Sequence, residues 1–187
     1  MPDQRTSNGF IGIAVAIAGV IELGVMGRAV TPLVIGLVVS YLLWIGQAEW
    51  RPTRDVVLAY AAAVFVQCLH LVEEYRTGFY SAFPPILGGQ AWSPVRFLAF
   101  NLIWLAVFVV AGIGLTTARR PAFLVALFLG LAGGIANGLG HLALAAQRGR
   151  YFPGTYTAVL ALFAGSALLR RLLRPEPHQR VGSSEDA

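Results

Sequence analysis

The chain has 187 residues, 57% of them hydrophobic and 12% charged, with a mean hydropathy of +0.68. Soluble domains run at roughly 45–50% apolar, and a soluble core of this size could not hide the excess, so lipid is the expected solvent. The net charge is +5, yet there is no basic helix or basic-aromatic surface to suggest nucleic acid, and arginines flanking membrane spans account for the balance.

All basic residues are arginine, which suggests a GC-rich bacterial genome. Cys68 is the single cysteine, so there is neither an intrachain disulfide nor a cysteine-based metal knuckle, and no nucleotide or haem motif is present. The N-terminus lacks the charge pattern and cleavage site of a removable signal peptide, so the stretch from Phe10 reads as a retained span.

Six apolar segments can be drawn, each near the ~17–25 residues that cross a bilayer. The first runs from Phe10 to Met26, after a cytoplasmic tail of residues 1–9, and Gly27-Arg28 separate it from the second, Ala29 to Gln47. These two are short and could form one re-entrant hairpin. Glu49-Trp50-Arg51-Pro52-Thr53-Arg54 forms a polar turn, and the third segment follows from Asp55 to Glu74. The connection from Tyr75 to Pro94, rich in Gly, Pro and aromatic residues, has the composition of a lid. The fourth segment is Val95 to Leu115, the fifth Ala122 to Ala146 and the sixth Tyr156 to Leu173. Residues 174–187 read as a disordered cytoplasmic tail. The expectation is an all-α, polytopic transmembrane bundle of about six spans, a single domain over 10–173 with its site between 55 and 157. With six spans, nine arginines fall on the side of the termini and five on the other, which places both termini in the cytoplasm of a plasma (inner) membrane.

Ionisable side chains within spans are costly and mark function. His70 lies roughly 24 Å up a helix rising from Arg54 at ~1.5 Å per residue, with Glu73 and Glu74 one turn further. His141 lies roughly 30 Å above Arg120, with Asn137 one turn below it. Asn101 is about 10 Å below the outer face of its span, and Glu22 lies in the outer half of the first. Polar groups from four spans thus meet in one outer layer.

Within His70-Leu71-Val72-Glu73-Glu74 the imidazole and carboxylates stand at i, i+3 and i+4, on one helix face. Asn137 and His141 share a face in the same way, with glycines between them that permit close helix approach. Two histidines and a glutamate suffice to bind a divalent metal, zinc by preference, with a water position left open. The second glutamate would be the base, and Asn137 would polarise a substrate carbonyl. The plainer alternative is a buried hydrogen-bond network, with Arg76 and Arg96 neutralising the glutamates. Tyr151 sits in a Pro-Gly turn that more simply fixes the backbone, although its hydroxyl could reach the site.

At these positions the chain resembles the HXXEE family of uncharacterised bacterial integral membrane proteins. The defining motif stands as His70-Leu71-Val72-Glu73-Glu74, an NxxxH pattern as Asn137 to His141, and a YxPGxxT pattern as Tyr151 to Thr157. The resemblance implies a membrane enzyme of protease-like type. A looser similarity is to membrane-embedded CAAX-type proteases, which pair adjacent glutamates with histidines on neighbouring helices; here Arg76 follows Glu74 after one residue and no third intramembrane histidine exists. The leading expectation is a metal-assisted hydrolase acting on a lipid-like molecule or a membrane-borne peptide. The alternatives are a metal-free acid/base isomerase or cyclase on an apolar substrate, and a non-enzymatic transport or proton-coupled binding protein.

Overall fold

The computed structural model describes residues 4–47 and 50–174. Glu49 of the polar turn and most of the C-terminal tail, His178 and Arg180 included, therefore lie outside the described residues. Everything regular within them is helical. Four helical stretches are long and apolar enough to cross a membrane: Thr6–Ile45, Arg54–Thr77, Pro94–Thr116 and Arg120–Arg148.

The first stretch is folded in two. Helix α1 (Gln4–Met26) ends at Gly27, whose φ of +74° favours a residue without a Cβ, and a single 3-10 turn leads into α2 (Thr31–Ile45), with Pro32 in its first turn. The Tyr41 hydroxyl donates to the Asn8 carbonyl at 3.1 Å, which fixes the arms antiparallel. The expected hairpin is therefore present. At ~1.5 Å per residue, the 15-residue α2 reaches only about 22 Å, less than a bilayer core of ~30 Å. Helix α1 begins at Gln4 and not at Phe10, since nothing in residues 4–9 breaks a helix; hydropathy delimits a span, not a helix.

Helix α3 (Arg54–Thr77) starts at Thr53, whose hydroxyl accepts from the Val56 N–H, and stops at Gly78 in the left-handed conformation. A short helix α4 (Phe79–Ala82) and a 3-10 turn over Pro84–Leu87 lead to α5 (Pro94–Thr116), capped by Ser93 with Pro94 at its first position. The next stretch is one continuous helix of changing pitch: α6 (Arg120–Phe128), a π-helical segment (Leu129–Ala136) and α7 (Asn137–Arg148). Helix α8 (Thr155–Leu172) completes the bundle; it carries Arg170 and Arg171 in its last turn and is not among the four apolar stretches.

The α6–π–α7 helix is the axis of the molecule. Its most apolar window is 67% buried, against 17–22% for the other three candidate spans. Helix α8 packs on the π segment, α7 and α3, while α6 packs on α5 and α2. The main core gathers Trp44, Phe108, Leu115, Phe123, Leu127 and Leu168 around this axis, and the outward surface is apolar, with Phe10, Val95, Ile103 and Phe163 all well exposed. Such a surface suits lipid chains better than water.

Glycine sets the closest contact. A Cβ on Gly134 would fall 2.5 Å from the Gly165 Cα, and one on Gly165 would fall 2.6 Å from the Gly134 Cα. The backbones of the π segment and α8 thus touch directly, as small residues allow between membrane helices. Gly165→Ala should lower stability by about 1–3 kcal/mol through overpacking, measured as thermal unfolding in detergent. Gly24→Ala, where a Cβ meets nothing within 4 Å, should be neutral or slightly stabilising.

Candidate functional site

Three helices converge on His70, which is fully buried. It comes from α3, and Glu74 follows one turn later with its Oε1 3.4 Å from the His70 Nε2. From α7, His141 brings its Nε2 to 3.1 Å from the same Glu74 oxygen. The two imidazoles stand edge to face with centroids 4.8 Å apart, and ligand atoms of all three residues lie within 4.8 Å of one another. His141 and Glu74 are almost fully buried as well.

Hydrogen bonding assigns the tautomers. The His141 Nδ1 lies 2.7 Å from the Pro153 carbonyl, which can only accept, so Nδ1 carries the proton. The Thr157 hydroxyl donates to Glu73 Oε2, which leaves its oxygen to accept from the His70 Nδ1–H at 2.8 Å. On a neutral ring each Nε2 is then left with a lone pair. That of His70 accepts from the Asn137 amide N–H at 2.8 Å, with Glu74 Oε1 farther off at 3.4 Å. That of His141 faces Glu74 Oε1 at 3.1 Å in a buried space, and the two repel unless a cation sits between them, either a metal or a proton. Metal-binding histidines typically hold the other ring N–H on a carbonyl or a carboxylate-linked group, as both do here.

Glu73 is not part of this group, which corrects the expectation of two glutamates on one centre. Adjacent residues on a helix diverge by about 100°, and Glu73 turns to the start of α8. Its Oε1 accepts from the Tyr151 hydroxyl at 2.6 Å and the Tyr156 N–H at 3.1 Å, and its Oε2 accepts from the Thr157 N–H at 2.7 Å. Helix α8 opens on Gly154, which has no side chain to cap it, so a carboxylate from α3 caps it instead. Both glutamates serve His70: Glu74 directly at Nε2, and Glu73 through Thr157 at Nδ1. Neither Arg76 nor Arg96 neutralises them, since the salt-bridge contacts among the described residues join Glu74 to His70 and His141 alone.

Two accessory candidates stand apart. Glu22 is buried on α1 and accepts from the Trp104 Nε1–H at 2.9 Å, away from the histidines. Asn101 lines the adjoining cavity, with its amide nitrogen given to the Phe97 carbonyl of its own helix. Tyr151 reaches Glu73 and not the histidine pair.

Sequence reasoning missed Thr157, the Pro153 carbonyl and Gly154, although all three fall within the Tyr151 to Thr157 motif. Gly154 has φ +91°, and a Cβ there would lie 2.5 Å from His141 Cε1 and 3.1 Å from Glu74 Cγ. The motif's Pro-Gly turn therefore lays bare backbone against the site.

A cavity of about 390 Å³ adjoins the group and is bordered by Glu74, Asn137 and His141. Its remaining walls come from the α1–α2 elbow, the 79–92 connection, α5 and the π segment. The connection roofs it: Phe79 packs on the His141 ring with centroids 4.9 Å apart, and the Trp92 indole donates to the Met26 carbonyl at 2.8 Å, tying roof to elbow.

Comparison with known proteins gives one finding. The family model described as a protein of unknown function with HXXEE motif matches residues 61–169, more than half of the chain, including His70, Glu73, Glu74, Asn137, His141 and the Tyr151–Thr157 turn. No curated protein and no solved structure matches.

Outside the spans, partial burial and the facing Glu73 carboxylate raise the Tyr151 phenol above its ordinary value near 10. A phenol that resists ionisation in the fold adds stability below pH ~10, which is lost as the pH rises through the raised value. Absorbance titration, with Tyr151→Phe as the blank, should place this phenol above the ordinary range, and Glu73→Gln should bring it back down. Gly154→Ala should displace His141, seen as a shift of its imidazole resonances in an NMR spectrum with the helix content retained.

Proposed function

Because the chain belongs to the family defined by the HXXEE motif, we propose that this motif builds a divalent-metal centre in a membrane-embedded hydrolase. The observation that carries the reading is the convergence of the His70 Nε2, His141 Nε2 and Glu74 Oε1, with both Nδ1–H groups already held by acceptors. Two histidines and one glutamate, with a fourth position for water, form a donor set of catalytic zinc sites. Zinc bonds of about 2.05 Å in tetrahedral geometry put neighbouring donors roughly 3.3 Å apart. The Glu74 separations from the two imidazoles, 3.4 and 3.1 Å, match that edge.

A zinc ion held by His70, His141 and Glu74 would supply a Lewis acid and a bound water with a pKa of about 7. Thr157 and the Pro153 carbonyl hold the imidazoles in the ligating tautomer. Only Oε1 of Glu74 is engaged by the histidines, so its Oε2 is the base that takes the proton of the attacking water. Asn137, released from the His70 nitrogen, donates its amide to the substrate carbonyl as negative charge develops there. The arginine distribution supports a centre in the outer half of a plasma membrane, with both termini in the cytoplasm.

A metal-free acid/base reading draws on one observation: the His141 to Glu74 separation of 3.1 Å also suits a single shared proton. Elemental analysis separates the two. Protein purified without chelator should carry about one zinc, iron or manganese per chain, and His70→Ala, His141→Ala and Glu74→Gln should each lose it. Glu73→Gln, which loosens the support of His70, should weaken metal binding about 10–100-fold without abolishing it. Wild type with no stoichiometric metal sinks the hydrolase reading.

A further inference from the structure

We infer that the cavity beside the centre binds one hydrocarbon chain, and that the substrate is a single-chain acyl ester or amide with its carbonyl at Glu74 and His141. This rests on the hydrolase reading and adds the substrate class to it. Three observations carry it. The cavity is lined mainly by apolar residues, among them Phe83, Leu87, Trp92 and Phe97, with Glu74, Asn137 and His141 at the centre and Gln67 and Asn101 as its other polar lining groups. A polar centre beside a mainly apolar space is a shape that an amphiphile fits. The volume, about 390 Å³, lies near the lower end of the roughly 300–1,000 Å³ of small-molecule sites, which favours one chain over a whole diacyl lipid. The walls also disfavour a peptide, because an extended backbone needs hydrogen-bond partners at every residue and away from the centre only Gln67 and Asn101 line the cavity as polar side chains.

Small residues make the room. Ala136 at the end of the π segment and Gly140 and Ala143 on α7 line the cavity, and a Cβ added at Gly140 would meet nothing within 4 Å. Gly140 and His141 both line the cavity, so a chain lying against Gly140 shares that space with the imidazole. In the reaction the water oxygen bonds to the carbonyl carbon and the bond from that carbon to the ester oxygen or amide nitrogen breaks. The proton taken by Glu74 passes to the leaving group, and the products are a fatty acid and an alcohol or amine.

The open space at Gly140 supplies the test. Full-length protein in nanodiscs, loaded with zinc, is titrated with acetohydroxamate and dodecanohydroxamate, which share a metal-chelating head and differ in chain. Wild type should bind the long-chain hydroxamate at least about tenfold more tightly. Gly140→Phe should abolish most of that preference while leaving zinc content and acetohydroxamate affinity unchanged. Ala143→Leu, a milder filling of the same wall, should reduce the preference partway and decides the matter if Gly140→Phe does not fold. Equal affinities on wild type, or a long-chain preference untouched by the folded filling variants, overturn the proposal. A wild type that takes up no zinc removes the hydrolase reading alone. Dodecanol binding to metal-free protein then decides the chain site, which stands if the filling variants weaken it about tenfold and falls if they do not.

Discussion

The rest of this structure depends on the cost of burying two imidazoles and a carboxylate together. Their N–H groups must be aimed at acceptors elsewhere, and the His141 lone pair facing Glu74 calls for a positive charge between the two. Both conditions shape the surrounding protein. The Nδ1–H of His141 needs a carbonyl, and the Pro153 turn supplies it; the Nδ1–H of His70 needs an acceptor, and Thr157 becomes one because Glu73 takes its hydroxyl proton. The start of α8 is thus fastened to α3 by the same contacts that orient the site.

Delivering these groups demands close backbone approach. The contact of Gly134 with Gly165 brings α8 against the axial helix, and the bare backbone of Gly154 lets the turn lie on His141 and Glu74. The π segment ends where the site begins, at Asn137. Its wider turns set the angle at which Asn137 and His141 leave the helix, in keeping with the recurrence of π-helical geometry at functional sites. The roof over the cavity is held by packing and by a single indole hydrogen bond to the α1–α2 elbow, so access depends on two segments that belong to no full span.

Much of this was legible beforehand. Segment order, the helical class and the meeting of His70, Glu74, Asn137 and His141 follow from hydropathy and from helical spacing, because a helix of known rise fixes both depth and face. Glu73 was legible as costly but not in its role. Spacing places i+3 beside i+4, yet a few tens of degrees decide whether a carboxylate turns to the histidines or to the next helix. Glu22 shared the outer layer by depth alone, and rotation about its helix gave it to Trp104. Depth is a one-dimensional quantity, and the azimuth of a helix is set by its neighbours.

The sequence by itself determined that this chain folds as helices apolar enough to span a membrane and which of them bring ionisable groups inside, because composition, periodicity and rise per residue are local properties. Tertiary structure alone decided three things. It showed that the two adjacent glutamates act on opposite nitrogens of His70, that a backbone carbonyl and a threonine hydroxyl fix the tautomers, and that small residues on α7 leave an apolar chamber beside the centre. These are relations between segments far apart in the chain, and packing forces them, since in a dry interior each polar atom must find its partner wherever the fold brings one.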